Sequence, residues 1–168
     1  MNKYNKYIIL AKKKGMLDAL IISSSDICFD VRTQLKCAWG CDRNLTPNAK
    51  CDNRGMSYDE RVKMVTQYKT ILLLHAHDVR QLGKVMLDAE KAAFLDGYYF
   101  AFAVNACHIC KDCQAINGKD CLHPDKVRPC ACLFGIDVYK TIGKLGLPLE
   151  VLQDKTAIEN RYGFLLID

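Results

Sequence analysis

The sequence predicts a single α/β domain, a mixed β-sheet with covering helices and two cysteine-rich loops packed at one side. Three observations lead there. The chain has 168 residues, half of them hydrophobic, which suits one domain with a real core. Short apolar runs alternate with stretches of helical periodicity, the order of a sheet covered by helices. The ten cysteines fall into two irregular stretches, residues 26–54 and 105–134. An α+β ferredoxin-like arrangement is the alternative. Residues 1–168 read as one metal-binding domain.

The elements follow in chain order. Residues 17–23 (LDALIIS) are apolar and β-branched, and are expected as a strand. Residues 26–54 form a long irregular stretch carrying Cys28, Cys37, Cys41 and Cys51. A loop of that length inside a compact domain needs a staple or a function. Ser57 and Glu60 make a capping box that opens a helix to about Tyr68, with Val62 and Val65 facing inward. Residues 70–75 (TILLLH) are a short continuous apolar run, expected as a strand buried on both faces. Asp78 caps a helix to about Leu95, whose stripe is Val79, Leu82, Val85, Met86, Ala89, Ala93 and Phe94. Gly97 ends it. Residues 98–104 (YYFAFAV) read as a strand that delivers the chain into the second cysteine loop. A short helix over residues 135–145 is stopped by Gly146, Leu147 and Pro148. Residues 149–152 and 163–167 are expected as strands.

Charge and hydropathy exclude several function classes. The net charge of +5 is dispersed, with no basic stripe accompanied by aromatics, so nucleic-acid binding is not expected. The apolar stretch at residues 7–11 is too short for the core of a signal peptide, and no run approaches a membrane span. A cytoplasmic chain is expected, whose thiols stay reduced and whose clustered cysteines read as metal or redox ligands. No dinucleotide fingerprint, phosphate loop or nucleophile elbow occurs. Arg32, Asp42 and Arg43 form no acid–base pattern, which leaves enzymatic activity open.

Cys107, Cys110, Cys113 and Cys121 carry the chemistry, in the spacing C-x2-C-x2-C-x7-C. Three thiolates so closely spaced repeat the loop that folds around an iron–sulfur cube in bacterial ferredoxins. A [4Fe-4S] cluster is the leading cofactor, and Zn2+ the alternative, since a tetrahedral site accepts the same four ligands. The run is compact for a zinc knuckle, which joins two separated pairs. No Cys-Pro follows it, and His123 offers a substitute ligand; His108 is a ligand or a neighbouring donor. Lys111, Lys119, Lys126 and Arg128 are placed to balance the charge of a thiolate-bound cluster, or are simply solvated.

Cys37, Cys41 and Cys51 have the looser spacing C-x3-C-x9-C and are candidates for a second metal site, with Cys28 as a fourth ligand, or for sharing the first. Cys130 and Cys132 form a C-x-C pair able to bind metal, to act as a redox pair, or to sit as bland thiols. His75 and His77 are expected as one buried and one exposed residue on a strand end.

The chain also resembles a known family. The stretches LKCAWGC (35–41), AFLDGYYFAFA (93–103), CHICKDC (107–113), CLHPDKVRP (121–129), GIDV (135–138) and YGFLLID (162–168) are similar to the predicted metal-binding family called domain of unknown function 2284. The likeness runs from about residue 30 to the C-terminus. It implies metal binding through the cysteines without an established reaction. Two departures stand out. Members usually have two prolines after the cysteine matching Cys51, with a glycine and a lysine shortly before it, where this chain reads NAKCDN over residues 48–53. Cys130 and Cys132 also replace the family's usual residues after Arg128 and Pro129.

The leading functional expectation is therefore electron transfer or redox sensing with a redox partner protein. The alternatives are a zinc-stabilised interaction module and a metalloenzyme with an open coordination position.

Overall fold

The computed structural model describes residues 3–41, 53–154 and 156–168. Cys51, Asp42 and Arg43 lie outside them. Among the described residues the elements are α1 (Asn5–Lys13), β1 (Asp18–Ile22), α2 (Thr33–Ala38), α3 (Tyr58–Thr66), β2 (Ile71–Ala76), α4 (Val79–Leu95), β3 (Phe102–Val104), α5 (Val138–Lys144) and β4 (Arg161–Leu166). Short 3-10 turns sit between them, including Gln114–Asn117 and Ala131–Phe134.

The strands form one four-stranded sheet in the order β1-β2-β4-β3. The α/β domain with covering helices is therefore present, but every pairing is antiparallel where a mixed sheet was expected. The physical reason is the connections. β1–β2 and β3–β4 are consecutive strands that turn back on each other, while β2 and β3, joined through α4, run parallel with β4 inserted antiparallel between them.

β2 is buried along its whole length, as its continuous apolar run requires. Leu72, Leu74 and Ala76 face a core shared with Tyr7 and Ala11 of α1 and Leu82, Met86 and Ala89 of α4. Ile71 and Leu73 face a second core with Val65, Ile136 and Ile142. The sheet is thus covered on both faces, and burial of these side chains at roughly 25 cal/mol per Å² of apolar area is what holds the layers together.

Helix ends follow their capping residues. Ser57 and Glu60 close the capping box at α3, with the Ser57 backbone N–H donating to Glu60 Oε2 at 2.7 Å. Asp78 accepts the backbone N–H groups of Arg80 and Gln81 at 2.7 and 3.0 Å at the start of α4. Arg61, on the inward face of α3 beside Val65, is buried and donates its Nε to Leu133 O at 2.6 Å.

Several local expectations change. Residues 149–152 form no strand. Residues 98–100 make a turn, so β3 keeps only the last three residues of its run. The short helix begins later than expected, as α5 with Asp137 as its cap, and the separate turn Ala131–Phe134 precedes it. Phe94 is half-exposed rather than part of the stripe. The irregular stretch holds α2, and the N-terminal residues form α1, which packs on α4.

The register places the site. Asp18 pairs with His75, Ala76 with Arg161, and β3 runs toward the start of β4. The end of β2, the start of β4 and the exit of β3 therefore lie at one edge of the sheet. The cysteine loop leaves β3 there.

Candidate metal centre

The loop begins at a pinned neck. Asn105 and Ala106 both donate their backbone N–H to Pro129 O, at 3.0 and 2.9 Å, and Cys107 donates to Arg128 O at 3.0 Å. Ala106 adopts φ 62°, a left-handed conformation that few non-glycine residues hold, and this turn aims the chain out of the sheet. From α4, Glu90 secures the other strand of the neck. Its Oε2 accepts Arg128 Nε at 2.8 Å and the Ala103 backbone N–H at 2.7 Å, and its Oε1 takes Arg128 Nη2. The Glu90 hydrogen bond raises the Arg128 pKa, so this cation is committed to the fold. The charge of Cys107 adds to the rise, so the same cation also acts on the first thiol of the loop.

Within the loop, the seven residues between Cys113 and Cys121 fold back on themselves. Gln114–Asn117 is a 3-10 turn, ended by Gly118 at φ 73°. All four cysteines then line one cavity of about 650 Å³. The thiols are half-buried. Burial pushes the Cys110 thiol up, and the neighbouring Cys107, Cys113 and Cys121 push it further. Four soft sulfur donors near one another, at a cost in thiolate formation that a cation would relieve, fit a thiophilic metal or an iron–sulfur cluster. Among the described residues no group of three or more Cys, His, Asp or Glu closes on a common point, so binding must draw the side chains together.

His108 and His123 line the same cavity. So do Arg80 at the start of α4, Arg161 at the start of β4, and Lys111 in the loop. The sequence reading chose Lys111 but missed Arg80 and Arg161. Nothing local marks them; only the pairing of Ala76 with Arg161 and the first turn of α4 bring them to the cysteines. Asp78, on the same wall, is held below the usual carboxylate range by the backbone N–H groups of Gln81 and Arg80 that it caps. His75 is buried and stacked on Tyr162, with Nδ1 2.8 Å from Asp18 Oδ2, while His77 is exposed, as expected.

A second cavity of about 790 Å³ shares Val79, His108 and Arg161 with the first and is lined by Cys130 and Cys132. Asn105, 9% exposed, lies in its wall, and its Nδ2 is buried without a hydrogen-bond partner among the described residues. Cys130 and Cys132 sit on the turn Ala131–Phe134, against α2. Hydrogen bonds from the Cys132 thiol, and next from Cys37, hold Cys130 far below the usual thiol range, while the same pairing with Cys130 raises Cys132. Cys41 also acts on Cys132 through its charge. α2, which carries Cys37, packs on the turn that carries Cys132, and Cys37 and Cys130 pack against the same core. Cys28 is anchored elsewhere through its backbone, donating to Thr141 Oγ1 at 2.9 Å and accepting from Asp137 N at 2.8 Å.

No helix among the described residues is long and apolar enough to cross a membrane. The sequence model of a family described as predicted metal-binding protein (DUF2284) matches residues 20–167. No curated protein and no solved structure matches the chain.

Proposed function

The chain belongs to this family of predicted metal-binding proteins, and on that premise we propose that Cys107, Cys110, Cys113 and Cys121 hold a [4Fe-4S] cluster that serves electron transfer or redox sensing. The observation that carries the reading is the gathering of these four thiols on one cavity, in a spacing suited to an iron–sulfur loop. When bound, such a cluster supplies a one-electron couple. The chain's own residues do the rest. The neck at Asn105–Cys107 and the Glu90–Arg128 pair fix where the loop starts and ends. Arg80 and Lys111 place positive charge around four thiolates, which offsets part of the negative charge of a thiolate-ligated centre, while Arg161 on the same wall is paired with Glu159. The loop stands at the surface, where a redox partner protein can approach.

The test is spectroscopic. Protein purified without oxygen should be brown, absorb broadly in the blue and lose that absorption on reduction. Cys110→Ser should remove most of it. A colourless protein that binds zinc through the same four cysteines would replace this reading with a structural module.

The size of the cavity favours one other reading, a metalloenzyme. About 650 Å³ beside the thiols is in the range of small-molecule sites. An added small ligand that shifts the metal's spectrum would favour that role, and insensitivity to such ligands would favour electron transfer.

A further inference from the structure

We infer that Cys37, Cys41, Cys130 and Cys132 form a second, separate metal centre, a tetrathiolate site of the kind that takes zinc. Two segments distant in sequence each bring a pair of cysteines, one as C-x3-C and the other as C-x-C. Joining two separated pairs is how structural zinc sites are usually built.

The docking of the two segments is fixed by groups that are not cysteines. Gln34 of α2 donates its Nε2 to Cys132 O at 2.9 Å. Arg61 of α3 donates Nη2 to Gln34 Oε1 at 2.7 Å and Nε to Leu133 O at 2.6 Å. Asp30 N donates to Gly135 O at 2.9 Å, and Phe29 pairs with Ile136. Cys37 and Cys130 pack against the same core. The docking of α2 on the turn that carries Cys130 and Cys132 is therefore built into the fold, and metal binding would draw the four thiols together from there.

Other features separate this centre from the Cys107 loop. Cys130 and Cys132 line a different cavity from the four loop cysteines. Zinc here would staple α2 to the turn Ala131–Phe134, which answers the need for a staple in the long irregular stretch. The centre does not depend on which metal the Cys107 loop holds.

The experiment compares zinc and iron per chain in the full-length protein, purified without oxygen, for the wild type and three variants. Wild type should carry about one zinc besides whatever metal the Cys107 loop holds. Cys130→Ser with Cys132→Ser should lose about one zinc per chain and keep the metal of the Cys107 loop. Cys110→Ser with Cys113→Ser should keep about one zinc whatever metal that loop loses. Cys51→Ser should keep the wild-type zinc count. A zinc count unchanged in the Cys130/Cys132 variant, zinc lost from Cys51→Ser instead, or a wild type that takes no zinc would each overturn the inference. If the double variant does not fold, Cys132→Ser is loaded with Co2+. Its thiolate-to-cobalt absorption should fall by about a quarter, one thiolate of four; an unchanged band would exclude Cys132 as a ligand.

Discussion

Arg128 and Glu90 form a two-point ion pair across the neck of the cysteine loop, and the same carboxylate accepts the backbone N–H of Ala103 on the edge strand. One side chain of α4 therefore ties the sheet to the base of the loop. Replacing Glu90 with Ala should leave a half-buried guanidinium and a backbone donor without this partner. The expected cost is about 2 kcal/mol, from the lost charge-assisted hydrogen bonds. Thermal unfolding would read it, and the variant should also lose metal faster to a chelator than wild type.

Arg61 is 4% exposed and joins three segments, donating to Leu133 O, Gln34 Oε1 and Met56 O. Arg61→Ala strands those acceptors and should cost about 2 to 3 kcal/mol. Arg61→Lys should recover little, because one ammonium cannot reproduce the spread of the guanidinium fork. Urea midpoints of the two variants are the measurement. Near-complete rescue by Lys would contradict this account.

The cap of α4 gives a pH-dependent prediction. Backbone N–H groups hold the Asp78 carboxyl below its usual range, so its pKa is lower folded than unfolded. Its contribution is then full above the unfolded value, about 3.9, and is lost as pH falls through the folded value. Asp78→Ala should cost about 1 kcal/mol at neutral pH. The gap from wild type should close below about pH 4. A gap that stays constant to lower pH would mean that the carboxylate's charge is not what caps the helix.

Gly163 lies in β4 where α4 and the start of the cysteine loop come close. A Cβ there would stand 3.0 Å from Met86 Sδ and 3.1 Å from Asn105 Cβ. Met86 can give way, but the Asn105 backbone is pinned to Pro129. Gly163→Ala should therefore destabilise by about 1 to 3 kcal/mol. A denaturant titration showing no loss would mean that the close approach is easily relaxed.

Much of this was legible in the sequence, and the exceptions have physical causes. The strand at β2 and the stripe of α4 announce themselves by periodicity and capping. The antiparallel order does not, because apolar runs carry no direction. The first cysteine group is readable because all four cysteines are consecutive in one loop. The docking of α2 on the turn that carries Cys132 is held by Gln34 and Arg61, polar residues whose partners are set only by folding. Arg80 and Arg161 were missed for the same reason. Residues 149–152 look like a strand by composition, but they find no strand partner in the sheet.

The most direct test of the central claim is the iron and acid-labile sulfide content of protein purified without oxygen, beside its Cys110→Ser variant. The account predicts about four irons with matching sulfide on the Cys107 loop, lost in the variant. No iron or sulfide in the wild type, with zinc at the Cys107 loop instead, would contradict it.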